Sequence, residues 1–554
     1  MTLLSPAPRL FATSLALRIT AATLAASLSV TLAACAEFSQ DTTSSNAEEN
    51  ENARRAGQRI AEEHEVLSLS QVSQRFFEKA ETVVISAMDL ESQEAAAKKA
   101  VELGAPILVK KLSPKKQAGK KQAAEAARPS KIEEDIRAEL ERLSAKKVEA
   151  FGDIGEGWLE GYDVEKTSAE EADTEQPDQE AQPDNPTDQQ NPQNRKQPAK
   201  KVASLMKEVA GLEVEQKIAN PVFVTKEAGI EAAANARAAG AEVLVLPHAD
   251  PRATKESSEL VRNEPTIAIG EAFGSKEYFR GAAELAGRGE LPGGGELVFP
   301  GRRMIALYGH PSGPALGVMG AGSPEEALAH SKRLVDEYQE FSEEPVIPAF
   351  EIITTIASSE PGPHHHYTNY TDAEDLLPYV DAITDAGGYA ILDLQPGRAS
   401  FLDQAKVYED LLKRPNVGLA LDPEWHFEGD EKPLDRVGSV EAHQVNEVTE
   451  WLAELVQENN LPQKALVLHQ FQLQMLRDRE QIRTDHPELA MVLHADGHGT
   501  PEQKFDTWNA LRQEGLDPRF FMAWKNFYKE DQPTFSPQQT FEDVSPNPWL
   551  VSYQ

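Results

Sequence analysis

The stretch VGLALDPEWH, Val417 to His426, decides how the chain is read. An apolar, β-prone run ends abruptly in two carboxylates, an indole and an imidazole. In a barrel of parallel strands, side chains just past a strand's carboxyl end face the common mouth where ligands bind. Asp422, Glu424, Trp425 and His426 are therefore site candidates. The same shape recurs from residue 302 onward, in apolar runs at Met304 to Tyr308, Val346 to Ile353, Tyr389 to Leu394, Val417 to Leu421, Ala465 to Leu468, Ala490 to Leu493, Phe520 to Trp524 and Trp549 to Tyr553. Helical stretches separate them, and three open on hydroxyl, Pro, then an acid or amide: Ser323-Pro324-Glu325-Glu326, Thr500-Pro501-Glu502-Gln503 and Ser536-Pro537-Gln538-Gln539. In each, the hydroxyl caps the helix, Pro takes the first helical position, and the third can close a capping box. Roughly 250 residues in this alternation predict a (β/α)8 TIM-like barrel over 301–554, with an open doubly wound sheet as the rival.

Each run ends in polar or aromatic residues. His310 follows the first and Glu351 lies in the second. Asp393 and Gln395, then Arg398, end the third. His469, Gln470 and Phe471 follow the fifth, and His494, Asp496 and His498 the sixth. The seventh ends in Trp524, Lys525 and Asn526, and the eighth in Tyr553. Glycoside hydrolysis suits such a mouth, because it needs one carboxyl kept protonated as acid, one ionised as nucleophile or base, and aromatic faces for sugar rings. The catalytic candidates are Glu424 or Asp422 paired with Asp496, with Glu351 third. Trp425, Trp524 and Tyr553 are the expected platforms, and His310, Asp393, Arg398, His426, His469, Gln470 and Lys525 further ligand contacts. Salt bridges from Arg398 or Lys525 are the structural alternative for the acids. A second chemistry is metal-assisted hydrolysis, with His494, Asp496 and His498 converging with His310 and His469 on a zinc-like ion. A barrel that binds glycan without turnover is the third reading. His364, His365 and His366 lie in a Pro-Gly loop and read as exposed.

The whole chain has 554 residues, a net charge of -36 and 40% hydrophobic residues. That length implies more than one domain, and the charge argues against nucleic acid, which needs Lys and Arg against its phosphates. Arg9 and Arg18 precede an apolar segment, Ile19 to Leu32, with the charge order and length of a secretory signal. The segment ends in Leu32, Ala33, Ala34 and Cys35, the sole cysteine. This resembles the lipobox of bacterial lipoproteins, where a Leu stands three residues before a Cys with small residues between. The resemblance implies cleavage before Cys35, a diacylglyceryl (palmitate-type) anchor on its thiol, and a protein tethered at the outer face of the cytoplasmic membrane. With no other thiol, disulfides and cysteine-based sites are excluded.

Residues 35–65 read as a polar, acidic spacer, and 163–200, rich in Glu, Asp, Gln, Asn and Pro, as a disordered linker. Around that linker lies a repeat. VVISAMDLESQEAAAKKAVELGAPILV (Val83 to Val109) and VFVTKEAGIEAAANARAAGAEVLVL (Val222 to Leu246) each give strand, Ala-rich helix, Gly-Ala and strand, a βαβ unit. Each copy later runs into glycines, near Gly152 and near Gly270. Two small Rossmann-like units over 66–162 and 201–300 are expected. Their order resembles the cell wall-binding repeat 2 family of Gram-positive surface proteins, which implies attachment to wall polymer. Two copies stand where that family commonly has three, and the first carries a basic insertion (Lys110, Lys111, Lys115, Lys116, Lys120, Lys121) suited to phosphate. The glycines do not form G-x-G-x-x-G after a first strand, so no nucleotide or other cofactor is expected. The C-terminal half, through LDPEWH and VLHQF, looks similar to uncharacterised barrel regions of actinobacterial surface lipoproteins, which bring no assigned activity. The expected protein is thus a wall-associated, lipid-anchored surface protein whose barrel binds or hydrolyses a carbohydrate.

Overall fold

The computed structural model describes residues 53–54, 61–111, 130–155, 157–167, 192–513 and 516–554. Cys35, the leader, most of the spacer, and Lys115, Lys116, Lys120 and Lys121 lie outside the described residues. Among those described, no helix is long and apolar enough to cross a membrane.

Eight parallel strands close into a barrel: β1 Arg303–Gly309, β2 Val346–Ala357, β3 Tyr389–Leu394, β4 Val417–Leu421, β5 Lys464–Gln470, β6 Leu489–Ala495, β7 Phe521–Asn526 and β8 Leu550–Tyr553. Each pairs in parallel with its sequence neighbour, and β1 pairs with both β2 and β8. That last pairing closes the ring and excludes the open sheet. All eight apolar runs of the sequence are strands of this barrel.

Alternation along each strand sorts its side chains. Even-numbered positions of β1 (Met304, Ala306) join an inner core with Ile347, Ala349, Tyr389, Ile391, Ala420, Ala465, Val467, Ala490, Val492, Ala523 and Leu550. The intervening positions (Ile305, Leu307, Phe350, Ile352, Leu392, Leu419, Leu466, Leu493, Trp524, Tyr553) face outward into the larger core under the helices. Both faces are apolar, as strands covered on both sides require.

The three hydroxyl-Pro starts are helix N-termini, each with a closed capping box: Pro324–Gln339, Pro501–Leu511 and Pro537–Glu542. Such a cap stabilises by about 1 kcal/mol. Ala373–Asp385, Phe401–Val407 and Ala442–Glu458 cover other crossings. Between β5 and β6 the expected helix is replaced by two 3-10 turns, Leu473–Met475 and Arg479–Gln481.

Ahead of the barrel stand two four-stranded parallel sheets. One has the spatial order Ile107–Val109, Thr82–Ser86, Lys147–Phe151, Asp163–Thr167; the other Glu65–Leu67, Ile267–Ile269, Val222–Thr225, Val243–Leu246. Small faces of the helices Leu90–Leu103 and Gly229–Ala238 (Ala96, Ala97, Ala100; Ala232, Ala233, Ala236) share one core with both sheets. Asn235 on the second helix donates to Ile107 O at 2.9 Å and accepts from Ile107 N at 3.0 Å, covering the edge of the first sheet. Two boundaries differ from expectation. Glu65–Leu67, which leads the first unit in sequence, pairs with Ile267–Ile269 of the second sheet. Asp163–Thr167, inside the stretch read as linker, is a paired edge strand, and an edge strand's exposed side tolerates the polar residues that made it look like linker. Pro192–Ala210, also within or beside that stretch, is helical.

Candidate active site

The inner face of every barrel strand changes character at its carboxyl end. After the apolar layers come Tyr308, Glu351, Asp393, Asp422, His469, His494, Lys525 and Ser552, one from each strand or its immediate end and all buried. Asp496 follows one inward step beyond His494. The period of two therefore carries polar side chains into a shared floor, beneath a cavity of about 540 Å3 lined by Tyr308, Asp422, Glu424, Trp425, Asp496 and Lys525, with Phe471, His498 and Phe527.

The turn after β4 sets two of these. Pro423 opens a 3-10 turn, Pro423–Trp425, and Gly438 N donates to Glu424 O at 2.7 Å. A Cβ at Gly438 would lie 2.4 Å from His426 O and 2.6 Å from Glu424 O, so only glycine lets the returning chain clamp this turn. Glu424 and Trp425 are left half-buried at the cavity wall.

His469 organises the floor. Its Nε2–H donates to Glu351 Oε1 at 2.7 Å and its Nδ1–H to Asp496 Oδ2 at 2.9 Å. Burial opposes its charge, but Glu351 and Asp496 hold its pKa well above the ordinary value of 6.5, making it an imidazolium. In return, against the same burial, His469 holds Glu351 well below 4.5 and Asp496 below 3.8. Asp496 thus has one oxygen tied and one, Oδ1, without a partner. Beside it, burial and then repulsion by Asp496 push Glu424 up to about 7. Burial and then Glu424 push Asp422 well above 3.8. Burial raises Asp393 to about 6 while Tyr308 donates to its Oδ2 at 2.8 Å. Lys525 Nζ sits 3.6 Å from the centre of the Tyr308 ring. His494 is kept neutral by burial; its Nε2 meets Ser552 Oγ at 3.0 Å, and its Nδ1, 3.7 Å from Glu351, is too far for a hydrogen bond.

Asp422, Glu424, Asp496, Trp425 and Lys525 are brought together at the cavity, with Glu351, Asp393, His469 and His494 directly beneath. Others are not. Trp524 and Tyr553 fall on the outward parity of β7 and β8: Trp524 packs on Trp508, Phe505 and Phe535, and Tyr553 shares a hydrogen bond with Tyr338 at 2.7 Å. Neither is a sugar platform. His426 stacks on Phe401 with Nδ1 donating to Ser439 O. Arg398 donates to the carbonyls of Glu431 and Asp430 and lies over Tyr367, which removes it as a salt-bridge partner for the acids. His310 is held by Ser312 and Thr371, and Gln470 by Gln472, Leu473 and Arg479.

The expected His494, Asp496, His498 metal triad does not converge. Among the described residues, the carboxylate and imidazole sets whose ligand atoms come within 4.8 Å of one another are Glu351, His469, His494 and Asp422, His469, Asp496. Both need His469, whose two ring nitrogens are already engaged by carboxylates. His498 instead packs edge-on to Phe527 at the wall. Tyr308 and Ser552 were missed as site residues, although the even parity of β1 and β8 pointed both inward. Compared with protein-family models and with curated proteins, the chain matches none.

Proposed function

We propose that the barrel mouth is the active site of a carbohydrate hydrolase working by two carboxyl groups. The observation that carries this reading is the opposed protonation of neighbours on one cavity: Glu424, pushed up to about 7, keeps its proton below neutral pH beside Asp496, which His469 keeps ionised. Environments that drive two acids apart assign them their roles. Glu424 gives its proton to the leaving glycosidic oxygen as the bond from the anomeric carbon breaks. Asp496 Oδ1 acts as base or nucleophile, and water supplies the hydroxyl that ends on the anomeric carbon and the proton that restores Glu424. Glu351 is a positioning residue acting through His469. Trp425 at the rim offers a face for a sugar ring.

The anchor and the address rest on sequence: the Leu32-Ala33-Ala34-Cys35 lipobox supports a lipid-anchored, extracytoplasmic protein. The paired βαβ patterns and the adjoining parallel sheets support reading the N-terminal region as two wall-binding-like repeats that hold the barrel near its polymer. The test is to incubate the full chain with wall-derived and neutral oligosaccharides and assay new reducing ends. Turnover that survives chelator and is lost in both Glu424→Gln and Asp496→Asn is expected. Turnover restored only by added metal, or none on any substrate, overturns the proposal.

A further inference from the structure

Lys525 differs from the other charged groups of the mouth. Its side chain is buried, 4% exposed, and lines the cavity. The ammonium lies over the faces of Tyr308 and Phe527, 3.6 and 5.2 Å from the ring centres. Among the described residues it has no hydrogen-bond acceptor and no ion pair. Nor is Nζ one of the sealed, unpartnered atoms of the floor, so it opens on the cavity. Ring faces offset only part of the cost of enclosing a charge. A ligand that completes this site must therefore bring an acceptor.

The neighbouring acids do not supply one. Asp496 and Lys525 end adjacent strands, one step past the pair Ala495 and Trp524. Yet Asp496 gives Oδ2 to the His469 imidazolium at 2.9 Å, and Glu351 gives Oε1 to it at 2.7 Å. Burial and then Glu424 push Asp422 well above 3.8, toward the form that donates. Glu424 itself keeps its proton below neutral pH. The ionised carboxylates are thus those bonded to His469, while the ammonium stands open beside two protonated carboxyls. Candidate acceptors differ in charge. A sugar hydroxyl is neutral, and a phosphate monoester brings close to two charges against one ammonium. A carboxylate brings one charge and two acceptor oxygens, and its bonds to an ammonium are about twice as strong as neutral ones.

We infer that the mouth recognises an acidic sugar, a uronic acid whose carboxylate docks on the Lys525 ammonium. The inference deepens the hydrolytic reading and rests on it for the place of the anomeric carbon. In a uronic acid the carboxyl group is carried by C5, which the ring oxygen joins to the anomeric carbon. One ring held on Lys525 therefore presents its anomeric carbon to the same cavity wall that carries Asp496 and Glu424. Lys525 selects the substrate and takes no part in the proton transfers.

Calorimetry on the full chain below neutral pH tests this with two pairs of probes, glucuronate against glucose and galacturonate against galactose. At least one acid is expected to bind about tenfold or more tightly than its neutral counterpart. In Lys525→Met that ratio should fall to about one, and Lys525→Arg should retain a preference for the acid. Wild type alone is decisive if the variants do not fold. Equal affinity within both pairs, no binding of either acid, or a preference that persists in Lys525→Met overturns the inference. Turnover is read separately through reducing ends. Acid preference without turnover keeps the Lys525 site and removes the hydrolase; turnover of neutral oligosaccharides without acid preference does the reverse.

Discussion

The two ends of the barrel are built on the same eight strands by the same alternation, and they do opposite things with it. At the amino-terminal end the inward residues are Met304, Ile347, Tyr389, Ala465, Ala490 and Leu550, sealed by Leu291, Val298 and Phe299. Polar groups there mostly finish their bonds inside the protein. Lys464 Nζ donates to the carbonyls of Arg414 and Val417 at 2.6 and 2.8 Å, and Tyr389 OH accepts from Ala465 N at 3.1 Å. Arg302 is the exception, with Nη2 on carbonyls but Nε and Nη1 unpaired. At the carboxyl end, five of the floor's buried polar atoms have no hydrogen-bond partner among the described residues. One end is a plug. The other gathers carboxyl groups of opposed protonation, with Lys525 and His469 among them, around an open cavity.

Substitutions that separate stability from turnover put this contrast at risk. The largest effect belongs to Glu424→Gln, which removes the transferable proton at the open end. It should lower kcat by about 10^3-fold, within the range for a lost general acid, and leave thermal stability nearly unchanged, because Glu424 is half-buried and carries no buried ion pair. Glu424 must be protonated, and its pKa is pushed up to about 7. kcat/KM should therefore fall as pH rises through about 7, and this limb should vanish in Glu424→Gln. A large loss of stability with unaltered pH dependence would place Glu424 in the scaffold.

Beneath it, Glu351→Gln leaves His469 with one carboxylate and no counter-charge below. Breaking a buried ion pair destabilises by about 4 kcal/mol. Glu351's folded pKa is lowered, so its contribution is present above its ordinary 4.5 and lost as pH falls. His469's is raised, so its contribution is present below 6.5 and lost as pH rises through the folded value. The deficit in denaturant unfolding should thus be greatest between those two values and shrink on either side. A deficit that is flat with pH would mean the pair is not ionic.

At the closed end, Ile347→Ala should cost about 3 kcal/mol of stability through the cavity it leaves. Activity per folded molecule should not change. A matching loss of kcat would show the plug and the mouth to be coupled, and the division between the two ends would fail.

Much of this was legible beforehand, for physical reasons. The barrel strands are buried on both faces, so they read as continuous apolar runs, and the hydroxyl-Pro helix starts between them are local chemistry. Asp422 and Asp496 stood out because a carboxylate at the end of such a run has few places to go. Parity, however, outranks position. Trp524 is next to Lys525, yet one faces the helices and the other the mouth, and counting by twos from Ala523 separates them. The same count turns Tyr308 and Ser552 inward. His310, Arg398 and His426 lie beyond the strands, where alternation stops and turns held by Thr371, Glu431 and Ser439 set direction. Nothing local marked Glu65–Leu67 as the partner of Ile267–Ile269 either, because a three-residue strand pairing across some two hundred residues leaves no periodic trace.

The two tryptophans give the smallest effect and the finest division. Trp425 is half-buried and lines the cavity, whereas Trp524 is enclosed by Trp508, Phe505 and Phe535. Trp425→Ala removes a stacking face and little packing. The expected loss is about 1 kcal/mol of binding, read as a rise of about fivefold in KM with kcat and thermal stability held. Trp524→Ala should do the opposite, lowering stability by about 3 kcal/mol or more and leaving KM alone in the molecules that remain folded. If both variants raised KM alike, the outward face of β7 would have to communicate with the mouth, and strand parity would no longer suffice to say which residues meet the ligand.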